Sequence, residues 1–451
     1  MQKTKEKMEF KEKPDIKFEF QEGEEQTTLT RSAASELDKR KGNHNGATRS
    51  GFFSQPLWWI FYTLLIVAGL FGGRWLSTRS QATQLPTTMA ENKPGQATVS
   101  ASGEIITSSG FVCPPPKNEI KTTSKELNML VWTEYLPSDW FECFEATYGI
   151  KVNRTEFSSN EEMLALLTDD THNFDLVQPT DQSVATLISQ GKFMKLDKSL
   201  LPVISNFNPA FLNLPYDPGN DYTLPYQSGT LAIAVNSEHV TNEPTSWKDL
   251  WNPEYASRLL IMEDPRDTIA MTLLANGYSF NSTDEKELEA IKPKLRALIN
   301  ATKVYNSDSQ SSDILDGKID LGFFWNGEAV LAQRKNPAIH YVYPSEGAIL
   351  WQDNYAIWHD AQHSDAVYAW INYTMQADLF WMMLRDFPYT NPNQAALEFA
   401  RDHHPELYNE YINSTITNVP AQVMLSGHWL DDLGEKQALY DKVWEEVNKA
   451  Q

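Results

Sequence analysis

The sequence predicts an α/β protein of two lobes, preceded by a single N-terminal transmembrane helix. Three observations carry this expectation. From Leu127 onward, short β runs alternate with amphipathic helices, the order of a parallel sheet covered by helices. One segment, Leu57–Gly73 (LWWIFYTLLIVAGLFGG), is apolar except for Thr63. The chain of 451 residues is long enough for two or three domains of ordinary size.

Residues 1–56 hold eleven Lys/Arg and ten Asp/Glu. They show no apolar periodicity and read as a disordered cytoplasmic tail. Residues 57–76 read as the transmembrane anchor, with Trp58, Trp59 and Trp75 suited to its interfacial belts. A cleaved signal peptide is the competing reading. More than fifty residues precede the apolar run, where a signal peptide carries only a short basic region. Lys39, Arg40, Lys41 and Arg49 precede the span and Arg74 and Arg79 follow it. That bias predicts a single-pass chain with its N-terminus in the cytoplasm and the large acidic part outside. Residues 77–124, rich in Ser, Thr, Gln and Pro, read as a flexible tether. On this topology both cysteines, Cys113 and Cys143, lie in an oxidising compartment, where an even count favours a disulfide. Two independent buried thiols remain the alternative.

In the folded part the pattern predicts strands at 127–132, 151–157 and 174–177, with helices beginning near Ser138, Asn160 and Gln182. Further strands are expected at 231–235, 259–262, 339–343 and 355–358. Helices are expected at 268–275, 285–300, 363–386, 393–401 and 436–449. This is too much for one sheet and suits two lobes. Formal net charge is −22, and residues 1–56 contribute +1, so the remainder carries −23. An acidic body of this kind repels nucleic acid and attracts cations, although acidity also serves solubility.

One chemical pairing recurs: an aromatic ring beside a carboxylate. It appears at Trp132-Thr133-Glu134-Tyr135, Trp325-Asn326-Gly327-Glu328 and Trp351-Gln352-Asp353, with an acidic pair at Asp264 and Asp267. Aromatic faces cover methylenes and attract ammonium groups, and carboxylates pair with the ammoniums directly. Such a set complements a polyamine. Taken singly, each Trp reads as core and each acid as solvated surface. Trp132-Thr133-Glu134-Tyr135 falls where the first strand ends, Pro179-Thr180-Asp181 after the third, and Asp264 and Asp267 after the strand at 259–262, and strand ends are where α/β sheets place ligands. The chain has no HExxH, P-loop, CxxC or GxSxG, so an enzyme is not expected and no cofactor is implied. Five carboxylates could hold Ca²⁺, but interleaved Trp residues argue against a metal.

From Leu127 to the C-terminus the chain resembles the periplasmic spermidine/putrescine-binding proteins of bacterial ABC importers. The matching pieces are WTEY (132–135), FDLVQPT (174–180), DYTLPY (221–226), SWKDLWNPEY (246–255), LGFFWNG (321–327), WQD (351–353) and PYTNPN (388–393). The resemblance implies a periplasmic-binding-protein type II fold that closes on its ligand by hinge motion. It implies lobe one at 125–230 plus 353–397 and lobe two at 231–352 plus 398–451. Trp132, Tyr135, Trp325, Trp351 and Tyr389 fall on the family's aromatic box. Glu134, Asp264, Asp267 and Asp353 fall on its ammonium-pairing acids, and Thr133 and Thr180 on polar contacts. There are departures. Gln182 stands where spermidine binders have Tyr, Leu430 replaces a Gln, and Glu328 supplies an acid found in putrescine-type members. The implied partners are a small-molecule polyamine and ABC permease subunits, with a monomeric binding domain and no nucleic acid. A polyamine sensor subunit signalling to a membrane partner enzyme is the alternative.

Overall fold

The computed structural model describes residues 96–133, 135–168 and 173–448, all within one structural unit. Strands β1 (Thr98–Val99) and β2 (Ile105–Ile106) form a small antiparallel pair. The α/β body begins with β3 (Glu126–Trp132), which runs parallel to β4 (Lys151–Phe157) and β5 (Leu176–Val177). Helices Ser138–Tyr148, Asn160–Thr168 and Asp181–Ser189 follow these three strands in turn. Next comes β6 (Thr223–Asn236), with all 14 residues buried. Then come β7 (Leu259–Ile261), β8 (Thr302–Tyr305), β9 (Leu321–Trp325), β10 (Ile339–Val342), β11 (Ile349–Ile357) and β12 (His428–Trp429).

The sequence pattern suggested two separate sheets, and the structure corrects this. One 10-stranded sheet runs β4-β3-β5-β11-β6-β9-β7-β8, with β10 paired to β6 and β12 to β11. The reason is the length of β6, about 45 Å at the usual rise per residue. Its first half (Leu224, Tyr226) belongs to one hydrophobic core and its second half (Leu231, Ile233, Val235) to another. Antiparallel β11 does the same in reverse, with Ile349 in the second core and Tyr355 and Ile357 in the first. Two lobes therefore share two strands, and a register shift between Asp353 and Asn354 marks the crossing. Such bulges bend a strand and re-aim its side chains.

The first core is aromatic, with Trp140, Phe144, Trp370, Phe380 and Tyr226 buried together. Helices Gln394–His403 and Pro405–Asn413 bury Ala396, Ala400 and Tyr411 in it. The expected lobe boundary at 397/398 falls inside the first of these helices and leaves the second in lobe two. The chain instead reaches the second lobe's apolar packing at Ile416. Helices Pro265–Ala275, Glu285–Ala301 and Gln437–Asn448 pack around the second core through Ile269, Leu295, Tyr440 and Val443.

Part of the expected tether is docked. Cys113 and Cys143 are joined with Cα atoms 5.5 Å apart. Thr107 Oγ1 donates to buried Asp139 at 2.7 Å, and Ser108 N donates to Glu142 at 2.6 Å. Tyr373 Oη donates to Pro114 O at 2.9 Å, and Lys117 pairs with Asp378 at 3.1 Å. These bonds hold residues 96–124 on the first lobe, and those to Asp139 and Glu142 count most because both carboxylates are buried. The expected span at 57–76, the tail before it and Glu134 lie outside the described residues. Among the described residues no helix is long and apolar enough to cross a membrane.

The disulfide closes a loop with a sequence separation of 30, for which chain entropy gives roughly 3–4 kcal/mol. The double variant Cys113→Ser/Cys143→Ser is expected to lose about 2–4 kcal/mol in denaturant unfolding. A loss below about 1 kcal/mol would show that the docked segment holds without its covalent tie.

Candidate functional site

The motifs at Trp132, Asp264 and Trp325 sit where strands end, whereas Trp351 and Asp353 stand inside β11 (Ile349–Ile357), and the reason is local in each case. β3 ends at Trp132, whose N–H donates to Gln178 Oε1 at 3.1 Å. Beyond it, Tyr226 Oη donates to Tyr135 O at 2.6 Å and pins the loop. β7 runs into Asp264, which caps helix Pro265–Ala275 by accepting the Asp267 N–H at 3.0 Å. Asp at the cap and Pro at the first helical position suit a helix start, and its positive end favours both carboxylates. β9 ends at Trp325, held by Gln310 Oε1 at 2.9 Å, and leads into helix Asn326–Lys335. The Glu328 carboxylate accepts the Ser311 N–H at 2.8 Å. β11 carries Trp351 and Asp353 on the shared pair of strands.

These ends surround one cavity of about 410 Å³ lined from both cores. Trp132, Thr133, Tyr135, Thr180, Gln182, Asp264, Asp267, Trp325, Glu328, Trp351, Asp353, Tyr389 and Leu430 all line it. Glu134 lies outside the described residues. The rings form a wall of edge-to-face contacts, with Trp325 to Trp351 at 5.5 Å, Trp351 to Tyr389 at 5.3 Å and Tyr135 to Tyr389 at 5.4 Å. Two glycines make room for it. A Cβ on Gly229 would meet the Trp351 ring at 2.5 Å, and one on Gly327 the Tyr389 ring at 2.6 Å.

Sequence reasoning missed part of the lining. Asn160, Asp181, Asp308 and the serines 307, 309, 311 and 312 also face the cavity. A usable signal existed for Asn160, since it stands at the start of the helix after β4 as Asp264 does after β7. Asp181 adjoins Thr180 in a tripeptide already placed at a strand end.

Charge dominates the site. Asp353 is 5 % exposed, and burial pushes its carboxyl up to about 7, against the pull of the Thr180 hydroxyl, which donates to it at 2.6 Å. Trp132 and Tyr135 lie close enough to favour its charged form. Neither the Trp132 indole N–H nor the Tyr135 hydroxyl completes a hydrogen bond of ordinary geometry. Burial raises Asp181 to about 8, despite the Gln352 N–H that it accepts at 3.1 Å. Asp264 is raised by burial and eased by the N–H groups of Asp267 and Arg266. Asp267 is raised well above the usual range by burial and by the Asp264 charge. Arg266 offsets some of this charge, but its guanidinium donates to Asn281 Oδ1 at 2.7 Å and lies over the Tyr440 ring at 4.4 Å. The Trp351 indole N–H and Asp267 Oδ1 are also buried without partners. Among the described residues no group of three or more His, Cys, Asp and Glu has the arrangement of a metal site. Desolvated acids beside π faces make a receptor for an organic cation.

Residues 139–411 match the bacterial extracellular solute-binding protein family. The chain is 36% identical over 318 residues to the spermidine/putrescine-binding periplasmic protein of Salmonella typhimurium, covering 70% of this chain and 89% of that one. The protein of the same name from Escherichia coli K12 matches to the same extent. Among solved structures, the spermidine/putrescine ABC transporter substrate-binding protein PotD of Streptococcus pneumoniae aligns with a TM-score of 0.60 and 26% identity, over 72% of this chain and 99% of its own. The two lobes, the shared strands and these matches make the chain a member of the bacterial extracellular solute-binding protein family.

Proposed function

We propose that this protein is a membrane-anchored, extracytoplasmic polyamine receptor that delivers its ligand to an ABC importer. Its task is binding and not catalysis. The observation that carries this reading is the combination, in one cavity, of four buried aspartates (Asp181, Asp264, Asp267, Asp353) with a wall of Trp and Tyr rings. A linear polyamine matches that combination: its ammoniums meet the acids and its methylenes lie on the rings. The relatives named above bear spermidine and putrescine in their names, which supports the same ligand class and an extracytoplasmic place. Tethering rests on the apolar segment at 57–76. Ligand capture then follows from approach of the two lobes about β6 and β11, the strands common to both.

Two outcomes follow for titration calorimetry on the full-length protein. Asp353→Ala, Asp264→Ala and Trp351→Ala each lower polyamine affinity, the aspartate variants by about 2–5 kcal/mol, or roughly thirtyfold to several thousandfold. Unchanged affinity in all three would remove the site assignment. The number of acids exceeds the two charges of putrescine, and an unpaired buried carboxylate is costly. Spermidine is therefore expected to bind at least as tightly as putrescine, with Glu328→Ser moving the preference further toward spermidine. A wild type that prefers putrescine tenfold or more, or a variant with the same ratio, contradicts this.

A further inference from the structure

Two polar ties join the lobes beside the cavity without being part of its lining. The first starts on helix Asp181–Ser189, whose Val184 and Leu187 pack with Leu130, Phe157 and Val177 of the first lobe. Its Thr186 donates through the hydroxyl to Asp432 Oδ1 at 2.7 Å and through the N–H to Oδ2 at 2.5 Å. Asp432 belongs to the second lobe. It follows Leu430, which is buried in the second core, and the Gly434 N–H at 2.9 Å steadies its carboxylate from that side. Thr186 lies one turn beyond Gln182, and Asp432 lies just beyond Leu430, so this tie borders the cavity that both neighbours line. The second tie starts at Arg334 in helix Asn326–Lys335, which packs in the second lobe through Ala329 and Ala332. Its guanidinium donates to Leu384 O and Arg385 O, each at 2.7 Å, and to Glu410 at 2.6 Å, all in the first lobe. The next turn cannot serve those two carbonyls, since residue 388 is Pro and the Tyr389 N–H goes to Phe387 O at 2.8 Å. Leu331 and Phe387, beside this tie on either lobe, again line the cavity.

We propose that Thr186–Asp432 and Arg334 with its three acceptors are a latch, made only while the lobes are together, that sets how long a ligand is retained without touching it. This rests on hinge closure, the mechanical part of the proposed function, and not on which amine is bound. Each lobe completes its own core without these bonds. None of Thr186, Asp432 and Arg334 is fully buried, so water can serve each group once the lobes part, and the ties stay weak enough for release. In an open–closed equilibrium, a bond made only in the closed state multiplies the closing constant by one factor, whatever lies in the cleft. Residues that touch ligand change the preference between ligands. Latch residues change retention and leave the preference alone.

The test compares the full-length wild type with Thr186→Val, which keeps the side-chain shape and loses the hydroxyl, and with Arg334→Gln. Asp432→Asn probes the first tie from the second lobe, and Thr186→Ser is the conservative control. Stopped-flow tryptophan fluorescence gives association and dissociation rates for spermidine and for putrescine. Thr186→Val, Asp432→Asn and Arg334→Gln are each expected to raise the dissociation rate roughly threefold to thirtyfold, by the same factor for both amines, with association changed by less than about threefold. Thr186→Ser is expected to stay within about twofold of the wild type. Unchanged dissociation rates overturn the latch, as does a change confined to one amine. If the wild type binds neither amine, the polyamine reading falls, and small-angle scattering of the unliganded proteins decides the latch by itself. A larger radius of gyration in the Thr186→Val/Arg334→Gln double variant than in the wild type supports it, and an unchanged radius overturns it.

Discussion

A carboxylate buried without a cation is unfavourable, and much of this molecule is arranged around that fact. Asp181, Asp264, Asp267 and Asp353 are each 5 % exposed or less, and all four line one cavity. The fold softens the cost locally. The Thr180 hydroxyl serves Asp353, the Gln352 N–H serves Asp181, and a helix start serves Asp264. On the proposed function, what these bonds leave uncompensated becomes affinity for a cationic ligand. The pH sign follows. Asp353 and Asp181 have folded-state pKa values raised to about 7 and about 8. Their contribution to the stability of the empty protein is therefore full below the ordinary carboxylate range and lost as pH rises through 7 to 8. A bound cation reverses this by favouring the charged forms.

The second constraint is mechanical. β6 and β11 are buried along their whole lengths and belong to both cores. They join the lobes by continuous backbone pairing and also carry part of the cavity lining, since Trp351 and Asp353 sit on β11 beside the register shift. A cation held at Asp353 is thus anchored at the shared strands. A group held between Asn160 of the first lobe and Asp264 and Asp267 of the second would bear on residues from both lobes. Position along the cleft then sets how strongly a charge on the ligand can bias closure.

Much of the site was legible because its chemistry is local in sequence. An indole followed two or three residues later by a carboxylate, after an apolar run, marks the ends of β3 and β9, while the third such pair, Trp351 and Asp353, stands inside β11; all three motifs reach the cavity. Asp264 and Asp267 were legible through helix-capping logic. Other features depend on distant partners. The five-residue run of β9, Leu321–Trp325, lacks β-branched residues and alternation, so its strand character comes from pairing with β6 and β7. Residues 96–124 look like a tether by composition. Their docking comes from one covalent tie and from buried acids on helix Ser138–Tyr148, which no local pattern reveals. Helix Pro405–Asn413 joins the first core through Tyr411, whose hydroxyl accepts the Asn391 N–H at 2.8 Å. The one-sheet connection also escaped sequence reading, because β6 looks like an ordinary strand until its two halves are seen to enter different cores.

The central claim is that uncompensated buried carboxylates are the binding force. The most direct measurement is the number of protons released when spermidine binds, obtained by calorimetry at pH 7 in buffers of different ionisation enthalpy and repeated from pH 6 to 8. With Asp353 near 7 and Asp181 near 8 in the empty site, binding should release protons at pH 7, and affinity should rise with pH across this range. Binding heats independent of buffer, together with affinity flat from pH 6 to 8, would contradict the account.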